Sequence, residues 1–127
     1  MSSTNIIPAL RYKNGTAAVD FLATAFGFEK LFVAPGAEGG IAHAEMTFGS
    51  GVIMLGAGTH EPPSPWDTVA QGVYVHVADV DAHYARAKAA GAEIVSELRD
   101  TPYGSREYSA RDPEGHLWAF GTYLPKR

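Results

Sequence analysis

The sequence predicts an α+β fold of two β-α-β-β-β modules whose sheets enclose a shared cavity. Three observations carry this reading. A short apolar run, a helix-start signal and an amphipathic stretch occur in that order twice, at an offset of about 65 residues. Each occurrence is followed by three further strand-like runs. Glycine, at 14 of 127 residues, exceeds the roughly 7% of an average chain, as many turns between short strands require.

The first apolar run is Ile6-Ile7-Pro8-Ala9-Leu10-Arg11-Tyr12, and Asn14-Gly15-Thr16 follows it. Asn favours a helix start because its side chain accepts from the free N–H groups of a first turn. The helix is predicted over about 16–26, with Val19, Leu22 and Phe26 on one face and Gly27 as the stop. Strands are predicted over 29–33, 43–48 and 52–55, the last two joined by Gly49-Ser50-Gly51. Residues 57–70 contain Pro62, Pro63, Pro65 and Trp66 and read as a connector. The second half opens with Gly72-Val73-Tyr74-Val75-His76-Val77-Ala78 and Asp79-Val80-Asp81. Its helix is predicted over 81–90, with Val80, Tyr84 and Ala87 on one face and Gly91 as the stop. Strands then follow over 93–97, 106–110 and 116–123, and Asp112-Pro113-Glu114-Gly115 has the residues of a type I turn at the right positions. The expected organisation is one domain, 1–127, of two modules at about 5–57 and 71–124. A four-stranded sheet with one helix on it leaves its other face open, and two such units can close their open faces around a hollow.

Composition excludes several classes of function. The chain has no cysteine, which removes thiol catalysis, Cys-ligated zinc and iron–sulfur clusters. Its ten Lys and Arg are scattered and its formal net charge is -4, so nucleic acid is not an expected partner. No apolar stretch is long enough for a membrane span, and Met1-Ser2-Ser3-Thr4-Asn5 lacks the pattern of a signal peptide. A cytoplasmic location is therefore expected. Dinucleotide fingerprints, phosphate loops and nucleophile elbows are absent.

The paired modules, the Asp112-Pro113-Glu114-Gly115-His116-Leu117-Trp118 hairpin and the run Val75-His76-Val77-Ala78-Asp79-Val80-Asp81 together resemble the vicinal oxygen chelate superfamily. That superfamily contains glyoxalases, bleomycin-resistance proteins and extradiol dioxygenases. The resemblance covers about 5–123. Tyr103-Gly104-Ser105-Arg106-Glu107-Tyr108 is similar to a bacterial subgroup described generically as glyoxalase-like or bleomycin-resistance-like. In metal-dependent relatives the first strand of each half supplies a His or Gln and the last strand a Glu. The resemblance places these four positions on Ile7, Gly72, Met54 and Ala119. None of the four can donate to a divalent cation, which needs imidazole or carboxylate here. The expectation is therefore no metal and no other cofactor. The resemblance also implies a homodimer, with modules closing within one chain or exchanged between two. The exposed sheet edges supply a physical reason for pairing.

Candidate binding residues follow. The resemblance implies that Arg11 contacts an anionic group of a ligand, a role its planar fork suits; alternatively it pairs with a carboxylate of the domain or sits at the rim. By alternation His76 shares the face of Gly72 and Tyr74; its alternative is a hydrogen-bonded histidine at a strand end. Tyr74 and Trp66 offer flat faces for a planar molecule, although Trp66 can equally cover a dimer interface. Ile7 and Met54 supply apolar lining, while Gly72 and Ala119 leave space. Trp118 and Phe120, flanking Ala119, turn to the core.

The candidate catalytic residues are Glu45 and His76. His43 and Glu45 alternate with Ala44, Met46 and Phe48, which places both on the face away from the helix. Glu45 can serve as a general base, or it pairs with Arg11 or Arg106. Together His43, Glu45 and His76 would form a relocated 2-His-1-carboxylate set. His83 reads as a solvated residue on a helix. A bulge near Gly104 would leave the faces of Arg106 and Tyr108 undecided.

The expected function is metal-free binding of a partly planar organic molecule in an apolar cavity. The alternative is a glyoxalase-like lyase or isomerase using a relocated metal or metal-free acid–base catalysis.

Overall fold

The computed structural model describes residues 6–36, 39–58 and 65–125. His60, Pro62 and Pro63 lie outside these. The chain divides into two compact units, 1–69 and 70–127, and each is a β-α-β-β-β module.

In the first unit, β1 (Ala9–Tyr12), α1 (Gly15–Phe26), β2 (Glu29–Pro35), β3 (Ile41–Phe48) and β4 (Gly51–Ala57) follow one another. The sheet order is β1-β4-β3-β2, with β1 parallel to β4 and the other pairs antiparallel. The side chain of Asn14 accepts from the N–H of Ala17 at 3.0 Å, and Gly27 ends the helix at φ 83°, a conformation that glycine adopts without strain. Val19, Leu22 and Phe26 are buried with Ala44, Met46, Ile53 and Leu55. The alternation seen in the sequence is thus physical: every second residue of β3 and β4 meets the helix. The first strand is shorter than the apolar run suggests. Ile6 is 83% exposed, because Pro8 has no N–H to offer and contributes only its carbonyl, which accepts from Met54 at 2.9 Å.

The second unit repeats this order with β5 (Gly72–His76), α2 (Val80–Ala89), β6 (Glu93–Asp100), β7 (Arg106–Arg111) and β8 (Leu117–Gly121). Its sheet order is β5-β8-β7-β6. Asp79 caps α2 by accepting from Ala82 at 3.1 Å. Trp118 and Phe120 are fully buried, as parity predicts, with ring centroids 6.5 Å apart and planes 10° apart.

Two details settle or correct the sequence reading. The irregularities lie in β6, between Ile94 and Ser96 and between Ser96 and Arg99, and not near Gly104. The β7–β8 register therefore runs unbroken from Glu107 opposite Gly121 to Arg111 opposite Leu117. Tyr108 consequently turns to the helix side and is buried, stacked on Phe120 at 5.2 Å. Burial pushes its phenol pKa up. Arg106 has the same parity and reaches Asp81 at 2.8 Å and Asp100 at 3.1 Å. His83 is not a solvated residue. Its Nδ1 lies 2.7 Å from the Tyr108 hydroxyl and its ring 4.2 Å from Phe120, because the first turn of α2 sits over this aromatic stack.

Candidate functional site

The face of the first sheet opposite α1 carries a recess of about 370 Å³, lined by Ala9, Leu10, Arg11, His43, Met54, Gly56 and Trp66. Strand alternation explains its chemistry. The side chains of Ile53 and Leu55 go under the helix, which leaves Met54 and Gly56 facing outward on β4. Register then brings Ala9 opposite Met54 and Arg11 opposite Gly56 on one side, and Glu45 opposite Met54 and His43 opposite Gly56 on the other.

Gly56 makes the site possible. A Cβ there would lie 2.5 Å from Nη1 and 3.2 Å from Cδ of Arg11, so any other residue would push the guanidinium aside. On its other flank Arg11 meets Asp67, whose Oδ1 accepts from Nε at 3.2 Å and lies 3.1 Å from Nη2. Asp67 belongs to a 3-10 turn, Pro65–Asp67, closed by Thr68, whose hydroxyl donates to the Pro65 carbonyl at 3.2 Å. The pair holds this turn against β1 and thereby places Trp66, 58% exposed, at the edge of the recess. Of the two alternatives for Arg11, the ion pair within the domain is realised.

Glu45 pairs on its own strand and not with Arg11. Its Oε2 lies 3.1 Å from Nε2 of His43, since residues two apart on a strand share a face. Phe32 of β2, opposite Glu45, brings its ring to 6.3 Å from that of His43.

Arg11, Met54 and Trp66 are therefore gathered around one recess. Ile7 precedes β1, 38% exposed, and is not among its lining residues. Tyr74 and His76 lie on β5 of the second unit. There Tyr74 donates to the Tyr123 carbonyl at 2.6 Å, and partial burial raises its pKa. Tyr103 donates to Glu107 at 2.9 Å, a bond that raises the pKa of its own phenol. Gly121 repeats the role of Gly56: a Cβ there would lie 2.6 Å from Cγ of Glu107 and 2.8 Å from the Tyr74 hydroxyl. The residues that sequence reasoning missed are Gly56, Asp67, Glu107 and Tyr103. A glycine directly after the apolar run 52–55 was the available signal for Gly56. Nothing local marks Asp67, which lies 56 positions from its partner.

The four positions implied as metal ligands do not fit one. Met54 lines the recess with a thioether, Gly72 has no side chain, Ala119 ends in a methyl group and Ile7 is aliphatic. Among the described residues no three His, Asp or Glu form a group that could hold a metal ion. His43 and Glu45 lie together on β3, and His76, the third member of the relocated set, lies on β5 of the second unit.

Comparison with known proteins agrees with this architecture. The model of the glyoxalase/bleomycin resistance protein/dioxygenase superfamily matches residues 7–120. The crystal structure of TioX from Micromonospora sp. ML1 is similar, with a TM-score of 0.83, 39% identity and coverage of 96% of this chain and 100% of that one. Lactoylglutathione lyase from Agrobacterium tumefaciens shares the fold at a TM-score of 0.72 and 21% identity, over 95% of this chain and 94% of its own. An uncharacterised protein of Mycobacterium bovis is 31% identical over 121 residues, 90% of this chain and 80% of its own. A putative glyoxylase, CFP32, of the same organism is 33% identical over 96 residues, 69% of this chain and 37% of its own. Among the described residues no helix is long and apolar enough to cross a membrane.

Proposed function

The chain belongs to the glyoxalase/bleomycin resistance protein/dioxygenase superfamily, and from that membership we propose that it binds a small, partly planar organic molecule without a metal ion. One observation carries the proposal: the recess of the first unit joins apolar lining from Ala9, Leu10 and Met54 to the aromatic face of Trp66, with Arg11 and His43 as polar groups. Its volume of about 370 Å³ falls in the range of small-molecule pockets. The work of such a site is holding, through burial of an aromatic ring and one or two oriented polar contacts. Ile7 of the first unit, and Tyr74 and His76 of the second, are the further residues proposed for ligand contact. The protein is proposed to act in the cytoplasm as a homodimer.

The test uses the two tryptophans. Trp66 is 58% exposed and Trp118 is fully buried, so a ligand in the recess changes the emission of Trp66 and leaves that of Trp118 alone. A panel of aromatic and cationic antibiotics is titrated into wild type and Trp66→Phe while melting temperature is followed in parallel. At least one compound is expected to raise the melting temperature of wild type and to change its fluorescence, with the fluorescence change lost in Trp66→Phe. No response to any compound sinks the proposal. Protein incubated with Mn, Fe, Ni and Zn ions and desalted is expected to retain none. One ion held per chain would instead favour an enzyme.

The second reading is such an enzyme, a glyoxalase-like lyase or isomerase. The observation in its favour is the imidazole of His43 on the recess wall, hydrogen-bonded to Glu45 at 3.1 Å. An oriented imidazole–carboxylate pair is what proton abstraction next to a carbonyl employs. His76 belongs to this reading as a second acid–base group.

A further inference from the structure

Resting on the binding reading above, we infer that Asp67 sets the charge class of the ligand. It holds Arg11 as a neutralised pair, so the recess takes neutral or cationic planar molecules and turns anions away.

The geometry around Arg11 carries this. Its guanidinium is confined on one flank by Gly56, where even a Cβ would approach Nη1 to 2.5 Å. On the other flank Nε and Nη2 both lie against a single carboxylate oxygen of Asp67, at 3.2 and 3.1 Å. The side chains of Arg11 and Asp67 are only 21% and 16% exposed, so water screens this pair less than an ion pair at the surface. An anionic ligand seeking Arg11 competes with a carboxylate of the same chain, present at a high effective concentration because the 3-10 turn holds it in place. The remaining charge favours the opposite sign. Glu45 shares the face of Met54 and is hydrogen-bonded to His43. Two carboxylates, Asp67 and Glu45, thus stand beside one guanidinium, Arg11, along this wall. The exposed ring of Trp66 adds a face that attracts cations.

The test is isothermal titration calorimetry with three probes that share one ring system: naphthalene-2-carboxylate, naphthalene-2-carboxamide and naphthalen-2-ylmethylammonium. Wild type is expected to bind the ammonium and the amide at least about tenfold more tightly than the carboxylate. Asp67→Asn is expected to strengthen the carboxylate about tenfold and weaken the ammonium, since Arg11 is then released. The double variant Arg11→Met with Asp67→Asn is expected to lose the gain for carboxylate. Arg11→Met alone, which leaves the Asp67 charge unopposed, is expected to strengthen the ammonium probe, and it serves if Asp67→Asn does not fold. Unchanged probe preference in folded Asp67→Asn overturns the role of Asp67 while leaving the binding reading in place. Loss of carboxylate binding from an Arg11→Met protein whose wild type bound it tightly overturns the inference as well, because Arg11 would then be an anion anchor. If none of the probes binds any form, the binding reading itself falls.

Discussion

Asp112 shows how much one side chain can organise. It is 3% exposed, and both of its oxygens are engaged. Oδ1 accepts from the N–H groups of Glu114 at 3.0 Å and His116 at 3.1 Å, and Oδ2 accepts from Nε1 of Trp118 at 3.1 Å. The turn Asp112-Pro113-Glu114-Gly115 is thereby locked, and the one polar atom of the buried Trp118 ring is satisfied. His116 extends the arrangement by accepting from the N–H of Gln71 at 2.9 Å, which anchors the chain just before β5. Asp112→Ala leaves three donors, two of them buried, without this acceptor. It is expected to cost about 3 kcal/mol, read as a lower urea midpoint at unchanged slope. A loss below about 1 kcal/mol would show that water or another group takes over the three bonds.

At the scale of elements, propensity and packing pull in opposite directions at Gly15, the first residue of α1. Alanine is the better helix former by about 1 kcal/mol in a helix interior. A Cβ on Gly15 would, however, lie 2.6 Å from Cβ of Ala57 and 3.2 Å from Cβ of Ile41. Overpacking of that kind costs about 1–3 kcal/mol, and neither neighbour is a long side chain that can swing away. Packing should win, so Gly15→Ala is expected to lower the melting temperature despite its better propensity. A rise would show that α1 can slide on its sheet without penalty. The strands obey a similar contest. β7 keeps one parity because β8 holds it on the inner side, whereas β6, at the edge, absorbs two irregularities and leaves Val95 49% exposed.

At the scale of the whole molecule, the chain is a tandem of two modules with the same strand order. Each sheet ends in edge strands, β1 and β2 in the first and β5 and β6 in the second. On β2, Leu31 and Phe32 are 58% and 53% exposed. Such edges invite pairing with another chain unless something covers them. A homodimer follows as a prediction: light scattering after gel filtration should return about twice the 13.5 kDa of the chain, and Phe32→Lys should lower that mass if β2 lies in the interface. A wild-type mass of one chain would overturn it.

Much of this was legible from residues a few positions apart. The caps Asn14 and Asp79, the stops Gly27 and Gly91, the turn at Asp112 and the alternation of Ala44, Met46, Ile53 and Leu55 all work through contacts within one turn or one strand. The repeat at about 65 residues revealed the two modules because the same local signals recur in the same order. Arg11 and Met54 were recognisable as candidates through the family resemblance, and Trp66 by its type. What only the tertiary structure decided was who meets whom. That Arg11 turns to Asp67, Glu45 to His43 and His83 to Tyr108 depends on sheet register, on the path of the connector and on where a bulge falls. These pairings are chosen by packing of the whole module, and a short stretch of sequence holds no record of them.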